Sequence, residues 1–294
     1  MSTLRELKSR IGSVASTEKT TSAMKMISSA KMRKATTQLT RLTPYREMVK
    51  TVMSHLLATD QEFDSPLIAT REVAHIAFVV FGSDDGLCGA FNINIFKSLL
   101  AAINDARENF GAQTDVTVIP VGRKLTKAAL KLNIDRVEVK TTTLNTRSSA
   151  DELNDFGASL QQAFLDGTYD KIDMLYMHYI STSRQTFTRE QLLPIGNDTI
   201  AEQLDPRLAA QPCLFEPDAN AIFNSVLPLH LRATVNEVFT ESAASEQATR
   251  VMAMQTATDN ARELLDALNL EYNKLRQQGI TTELLDIIGG QVQR

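Results

Sequence analysis

Both ends of the chain are long segments that nearly lack helix-breaking residues. Gly12 is the only glycine before Gly82, and no glycine occurs between Gly196 and Gly279. Glycine and proline weaken a helix interior more than any other residue, so their scarcity favours helix over these stretches. At the rise of an α-helix, the two segments would extend roughly 80 Å and roughly 100 Å. Pro44 is the first proline and predicts a kink in the N-terminal helix.

The N-terminal segment has the pattern of a capped helix with one narrow apolar face. Thr3 and Glu6 have the spacing of a capping box. Apolar residues then recur three and four apart, in coiled-coil register, at Leu4, Leu7, Ile11 and Val14. The stripe is predicted to weaken through Glu18, Thr21 and Lys25, where other residues take over part of the apolar face: Ala23, Met24, Ile27, Ala30 and Met32.

The C-terminal segment has a clearer heptad pattern. It begins after Pro217-Asp218, a favourable helix start, and Gly289-Gly290 is predicted to end it. From residue 254 the stripe recurs at alternating spacings of 3 and 4: Met254, Ala257, Ala261, Leu264, Leu268, Glu271 and Leu275. Leu265 and Tyr272 widen it. Small residues upstream suit a close helix approach or a sliding surface: Ser242, Ala243, Ala244 and Ser245.

The two terminal helices are predicted to pack against each other. Each stripe is too narrow to build a globular core, and an intervening domain of this size could not wrap both helices. Because they lie at opposite ends of the chain, the economical arrangement is an antiparallel coiled coil. The N-terminal segment covers residues 1–58 and the C-terminal segment covers 218–290.

The middle of the chain, residues 70–215, alternates short apolar runs with helical patterns. The predicted strands are His75–Phe81, Asp115–Val121, Arg136–Lys140, Ile172–Ile180 and Gln185–Leu193. Such alternation predicts an α/β fold, here a Rossmann-like domain with a mostly parallel sheet. Asp151 is predicted to cap one of its helices, and residues 194–217 are a connection rich in proline and turn residues.

Charge is distributed unevenly along the chain. Residues 1–50 contain eleven Lys or Arg and three acids, a net charge of +8, so the remainder carries -12. A basic arm on an acidic body predicts an acidic partner for the arm. Its basic stretch Lys25–Lys34 is compatible with three interpretations: nucleic-acid binding, a solvated helix face, or a helix that moves against an acidic protein surface. The stacking aromatics typical of nucleic-acid binding are missing from it.

No catalytic, metal or cofactor motif is evident in the sequence. Cys88 and Cys213 are too far apart to indicate a metal knuckle, and the four histidines have no ligand spacing. No apolar run is long enough to span a membrane, and no secretory signal is evident. Gly82–Gly89 follows a strand and precedes a helix, where phosphates often bind, but it matches no nucleotide motif. A tight turn whose acids favour a helix N-terminus is the preferred interpretation.

Three long motifs carry a resemblance to one family, the γ subunits of F-type ATP synthases. Arg10–Lys34 resembles that family's N-terminal helix, and Ser83–Asn92 is similar to its SDxGLCG turn. Ala244–Asn260 and Tyr272–Gly290 resemble its C-terminal signature. The resemblance covers the whole chain in the same order. Departures are Asp85 and Gln255, where the family usually has a basic residue, and Gly279, where it has Ala or Ser.

The resemblance implies a central rotor without catalytic residues of its own. Its paired helices would lie inside a ring of three α and three β subunits, and its α/β domain would rest with the ε subunit on the membrane-embedded c-ring. Rotation of the c-ring would then drive the catalytic β subunits through their nucleotide states. No cofactor, metal, nucleic acid or direct membrane span is implied.

The resemblance also implies contact residues and a location. It places rotor–stator contacts at Met24, Lys25, Arg250, Arg276, Gln277, Thr281 and Glu283. It implies a peripheral protein on the cytoplasmic face of a bacterial plasma membrane, rather than on the matrix side of a mitochondrial membrane. The alternative drawn from the residues alone is an α/β nucleotide-binding protein with a coiled-coil arm.

Overall fold

A five-stranded sheet forms the centre of the chain. The computed structural model describes residues 3–57, 63–196 and 215–292. Its strands are β1 (His75–Phe81), β2 (Asp115–Val121), β3 (Val137–Val139), β4 (Lys171–Ser181) and β5 (Arg184–Leu193). They lie in the order β3-β2-β1-β4-β5, parallel except for β5, which is antiparallel to β4. The mostly parallel α/β fold is therefore confirmed.

Five helices lie within the described residues. They are α1 (Leu4–Leu57), α2 (Phe91–Phe110), α3 (Arg123–Ala129), α4 (Ala150–Leu165) and α5 (Ala219–Val292). The helical hydrogen-bond pattern of α1 continues through Pro44. Gly289-Gly290 does not end α5, which contradicts the expected stop. Ser149, and not Asp151, is the N-cap of α4, in a capping box with Glu152.

The alternating side chains of β1 fill two apolar clusters, one on each face of the sheet. Ile76, Phe78 and Val80 pack with α2 and α3. Ala77, Val79 and Phe81 point to the other face, where residues of α1, α4 and α5 complete the larger cluster. A strand buried on both faces is typical of a parallel sheet, and it explains the continuous apolar run in the sequence.

The chain divides into two compact units. One consists of Met1–Ser29 with Arg250–Arg294, and the other is Ala30–Thr249. The described residues of the first unit are Thr3 and parts of the two terminal helices. The second contains the sheet with the remaining parts of α1 and α5. The predicted division at residues 58, 70, 215 and 218 stays a prediction, and much of the connection 194–217, with Cys213, lies outside the described residues.

Candidate functional site

In the first unit, α1 presents a continuous heptad seam. Buried or half-buried side chains recur four and three apart at Leu7, Ile11, Val14, Glu18, Thr21, Lys25 and Ser28. The apolar stripe does weaken through Glu18, Thr21 and Lys25, but the helix keeps its register and holds these polar residues half-buried on the seam. Ala23, Ile27 and Ala30, expected on the apolar face, are exposed, and Ile27 is 57% exposed.

The facing seam on α5 also differs from the predicted stripe. Its least exposed positions are Met254, Thr258, Ala261, Leu265, Leu268, Tyr272 and Leu275. At three positions the seam therefore lies one residue closer to the C-terminus than predicted: Thr258, Leu265 and Tyr272 occupy it, where Ala257, Leu264 and Glu271 were expected. Thr258 is 2% exposed, whereas the predicted Leu264 is 44% exposed and Glu271 is also exposed. A polar residue again replaces an apolar one in the seam.

Two contacts fix the direction of the pairing in this unit. The Thr258 hydroxyl lies 2.8 Å from the Thr21 hydroxyl and donates to it. Four residues further along α5, the Arg262 guanidinium donates to Glu18 at 3.0 Å. As α5 advances, its partners on α1 move towards the N-terminus. The predicted antiparallel pairing of the terminal helices is confirmed.

The seven predicted contact residues fall into two groups. Four lie on the exposed surface of the C-terminal part of α5: Arg276, Gln277, Thr281 and Glu283. The other three are more enclosed. Met24 and Lys25 are half-buried, with Lys25 on the seam, and Arg250 is only 6% exposed. The first group is available to a partner, whereas Arg250 is covered by its own chain. The contact role of all seven stays a prediction.

The turn Gly82–Gly89 is held by its own side chains. The buried Asp84 carboxylate accepts hydrogen bonds from the Arg123 backbone N–H at 3.0 Å and from the Thr146 N–H and hydroxyl at 2.9 and 2.7 Å. Burial alone would raise the pKa of Asp84, but these bonds and the Arg123 guanidinium hold it below its ordinary value. Arg123 begins α3, so Asp84 favours the N-terminus of α3, whereas the tight-turn interpretation expected the acids to favour α2, the helix that follows the turn.

Neighbouring residues of the turn are engaged as well. Asp85, one of the departures from the family pattern, lies 3.6 Å from Arg123 and 3.7 Å from Arg147 across exposed surface. The buried Cys88 thiol is a 3.4 Å acceptor for the Asn92 amide, which also donates to the Ser83 hydroxyl. Hydrogen bonds and ion pairs therefore connect the turn to α2, α3 and the loop before α4.

The second unit contains a buried network that the sequence analysis missed. Arg46, 8% exposed on α1, donates to Glu237 of α5 at 2.7 Å and to Glu190 of β5. Thr43 donates to the other Glu237 oxygen at 2.8 Å. The Tyr176 hydroxyl of β4 donates to Glu190 at 3.0 Å. These five residues, the Arg46 network, join four elements. The feature of the sequence that could have indicated this network is Arg46 itself, a charged residue at a heptad position of α1.

Two further titratable groups lie beside the Arg46 network on α5. The Glu241 carboxylate is 2.8 Å from Nδ1 of His178 on β4. Burial raises the pKa of Glu241 above its ordinary value despite this contact. His230 is buried, and burial together with the charges of Arg46 and Lys50 lowers its pKa to about 3. It is therefore neutral at physiological pH.

Within residues 3–57, 63–196 and 215–292, no group of three His, Cys, Asp or Glu side chains could hold a metal ion. In the same ranges, no helix combines the length and hydropathy needed to cross a membrane. The polar groups gathered in the two units are structural: hydroxyls and charges that join one helix to another or to the sheet.

The fold defines a class of α/β proteins whose two terminal helices pair antiparallel. The family model described as ATP synthase matches residues 3–292. An ATP synthase gamma chain from Phocaeicola vulgatus is 41% identical over 291 residues, covering 99% of each chain. One from Bacteroides thetaiotaomicron is 36% identical over 301 residues, covering 100% of each. The chain belongs to the ATP synthase gamma chain family.

Solved structures show the same fold at lower identity. A chain of the Euglena gracilis mitochondrial ATP synthase, solved with OSCP, F1 and the c-ring, superposes with a TM-score of 0.67 at 21% identity, covering 98% of this chain and 93% of that one. A chain from the central stalk and c-ring of the Tetrahymena thermophila enzyme gives a TM-score of 0.57 at 22% identity, covering 81% and 98%.

Proposed function

We propose that this chain is the central rotor stalk of an F-type ATP synthase. It couples ion translocation to ATP synthesis or hydrolysis by carrying rotation from the c-ring to the catalytic subunits. The observation that carries the proposal is full-length membership of the gamma chain family together with the antiparallel pair of terminal helices. A long coiled coil is suited to this task because it presents an elongated surface and transmits twist along its axis.

The partners follow from the same proposal. Three α and three β subunits surround the paired helices, and the ε subunit and c-ring bind the sheet-containing unit. The β subunits carry the catalytic residues. The solved structures to which this fold is similar are described as F1, c-ring and central stalk assemblies, which supports this set of partners. The complex lies at the cytoplasmic face of a bacterial plasma membrane, in line with relatives from Bacteroides and Phocaeicola.

The predicted contact residues form two surfaces of the proposed rotor. Arg276, Gln277, Thr281 and Glu283 are exposed on α5 and contact the β subunits there. Met24 and Lys25 contact acidic loops of the β subunits, and the small exposed part of Arg250 contributes a contact from α5. A basic helix turning past acidic loops gains long-range attraction without a fixed partner, because such interactions depend weakly on geometry.

Reconstitution tests the proposal. The purified chain should show no ATPase activity alone and should restore ATP-driven rotation when mixed with α and β subunits from the same source. An Arg276→Ala, Gln277→Ala variant should assemble but turn against a smaller load. Arg232→Ala is the matched control, because Arg232 is equally an exposed arginine of α5 but belongs to the other unit. Failure of the wild-type chain to assemble with α and β would show the proposal to be wrong.

A further inference from the structure

Within the second unit, α1 carries a heptad seam in which Arg46 is the one charged residue, and this seam contacts α5. From residue 39 to residue 56 the seam residues are Leu39, Leu42, Arg46, Val49, Met53 and Leu56, spaced three and four apart. Apolar seam residues of similar size bind about equally well after one helix slides along the other. A single polar residue in such a seam is a known means of specifying register, at some expense in stability.

The partner helix offers Arg46 two carboxylates one turn apart. Glu237 and Glu241 lie on the face of α5 that also carries His230 and Thr234, since these positions are four, three and four residues apart. Arg46 contacts Glu237, and His178 of β4 contacts Glu241 at 2.8 Å. Glu237 is therefore paired with a guanidinium from α1, and Glu241 is paired with an imidazole from β4.

Within the second unit, a shifted register would also be compatible with the charges on the two helices. Sliding this part of α1 by one turn along the antiparallel α5 would place Arg46 opposite Glu241. The same shift would place Lys50, one turn further along α1, opposite Glu237. The charges on these two helix segments thus do not separate the two registers. The discrimination by charge must come from the sheet.

Glu190 provides that discrimination. It lies on β5, accepts from Tyr176 at 3.0 Å and receives the second arm of the Arg46 guanidinium. In the shifted register Arg46 would leave Glu190, and a largely buried carboxylate would lose its cation, which is strongly unfavourable. Arginine suits this position because its planar fork holds N–H donors in fixed directions towards two carboxylates, whereas lysine is a point charge on a flexible stem.

We propose that Arg46 and Glu190 set the axial register of α1 against α5 within the second unit, selecting one of two charge-compatible alignments of these helix segments. The groups that face this contact are Glu190 and Tyr176 from the sheet, His178 beside Glu241, and Lys50 and His230 from the two helices. The inference concerns the isolated chain and does not rest on the rotor proposal.

Distance measurement between spin labels on the full-length chain tests the inference. Labels at Thr40 on α1 and Arg232 on α5 are exposed and belong to the same unit. The unmodified network should give one distance. Glu190→Gln should add a second population displaced by about 5 Å, the length of one helical turn. Asp173→Asn is the matched control, because that buried carboxylate pairs with Arg189 inside the sheet and should leave one distance.

A second substitution separates loss of register from general loosening. Adding Lys50→Met to Glu190→Gln removes the cation that would pair with Glu237 in the shifted alignment, and it should restore a single distance. General loosening would instead persist or worsen in this double variant. The inference is overturned if Glu190→Gln keeps one unchanged distance, or if Lys50→Met fails to suppress the second population. Circular dichroism confirms that each variant is folded.

Discussion

Thr21 and Thr258 meet hydroxyl to hydroxyl, 2.8 Å apart, within the helix pair of the first unit. Thr258 is 2% exposed and can alternatively donate to the Met254 carbonyl at 2.7 Å, while Thr21 donates to the Glu18 carbonyl at 3.1 Å. The seam is therefore held partly by hydrogen bonds, where a typical coiled coil would bury leucine or isoleucine.

Replacing one of these threonines should destabilise the pair, whereas replacing both should not. Thr258→Val removes the donor to the Thr21 hydroxyl, which keeps only its own bond to the Glu18 carbonyl, and should lower the free energy of unfolding by about 1 kcal/mol. The double variant Thr21→Val, Thr258→Val makes the seam apolar and should be neutral or more stable than the wild type. Urea unfolding of the wild type, Thr21→Val, Thr258→Val and the double variant gives the coupling energy between the two threonines. Strictly additive effects would contradict a direct hydrogen bond.

The continuity of this seam could not be predicted from the apolar pattern of the sequence. Glu18, Thr21 and Lys25 are polar, so they interrupt the apolar periodicity of α1. The apolar face was therefore predicted to pass to Ala23 and Ile27 instead. The spacing of four and three was nevertheless unbroken. Hydropathy failed here because the partners of these side chains come from α5, more than two hundred residues away in sequence.

The sheet was easier to predict than its contacts. Strands such as His75–Phe81 are apolar throughout and their type follows from local composition. The Arg46 network could not be predicted, because Glu190 and Glu237 are ordinary acids in sequence and become partners only when β5 and α5 meet α1. Asp84 is similar: its proximity to Gly82 suggested a turn, but its bond to Thr146 depends on a distant loop.

Acid should weaken the second unit through His230. Its pKa is lowered to about 3, chiefly by burial and then by the charges of Arg46 and Lys50. Near pH 6.5 the imidazole of His230 therefore takes up a proton in the unfolded chain but not in the folded chain. The contribution of the neutral His230 to stability is present above about pH 6.5 and is lost as the pH falls towards 3. Each pH unit in this window should remove up to about 1.4 kcal/mol.

The variant His230→Gln should flatten that part of the pH–stability curve. Chemical unfolding from pH 7 to pH 4 measures the slope for both chains. The difference between the two curves isolates His230 from Glu241 and Asp173, whose raised pKa values act in the opposite direction. His75→Gln, at a half-exposed position, controls for the loss of a histidine. Identical slopes for wild type and His230→Gln would contradict the assignment.

The crossing of Gly82 and Gly122 should not tolerate a side chain. A Cβ on Gly82 would lie 2.4 Å from Cβ of Leu125, and one on Gly122, at φ +102°, would lie 2.8 Å from the Gly82 carbonyl oxygen. Gly82→Ala should therefore cost about 1–3 kcal/mol through overpacking. Gly86→Ala, whose nearest neighbour is the flexible end of Lys124 at 3.8 Å, is the control within the same turn. Equal stability of the two variants in thermal unfolding would refute the close packing.

Ala261→Pro should break α5 within the helix pair. Ala261 is 7% exposed on the seam, in a helix that runs without interruption from Ala219 to Val292. Proline removes a helix hydrogen bond and clashes with the preceding turn, which costs about 3 kcal/mol or more. Ala261→Gly is the matched control, because it should cost only about 1 kcal/mol and leave the helix continuous.

In vesicles containing the assembled complex, Ala261→Pro should uncouple ion flow from nucleotide turnover. A stalk broken inside the coil can no longer transmit twist, so ATP-driven proton pumping should be lost while Ala261→Gly keeps most of it. Fluorescence quenching of a pH-sensitive dye measures pumping, and phosphate release measures hydrolysis in the same vesicles. Fully coupled pumping by the proline variant would show that continuity of α5 is not what transmits rotation.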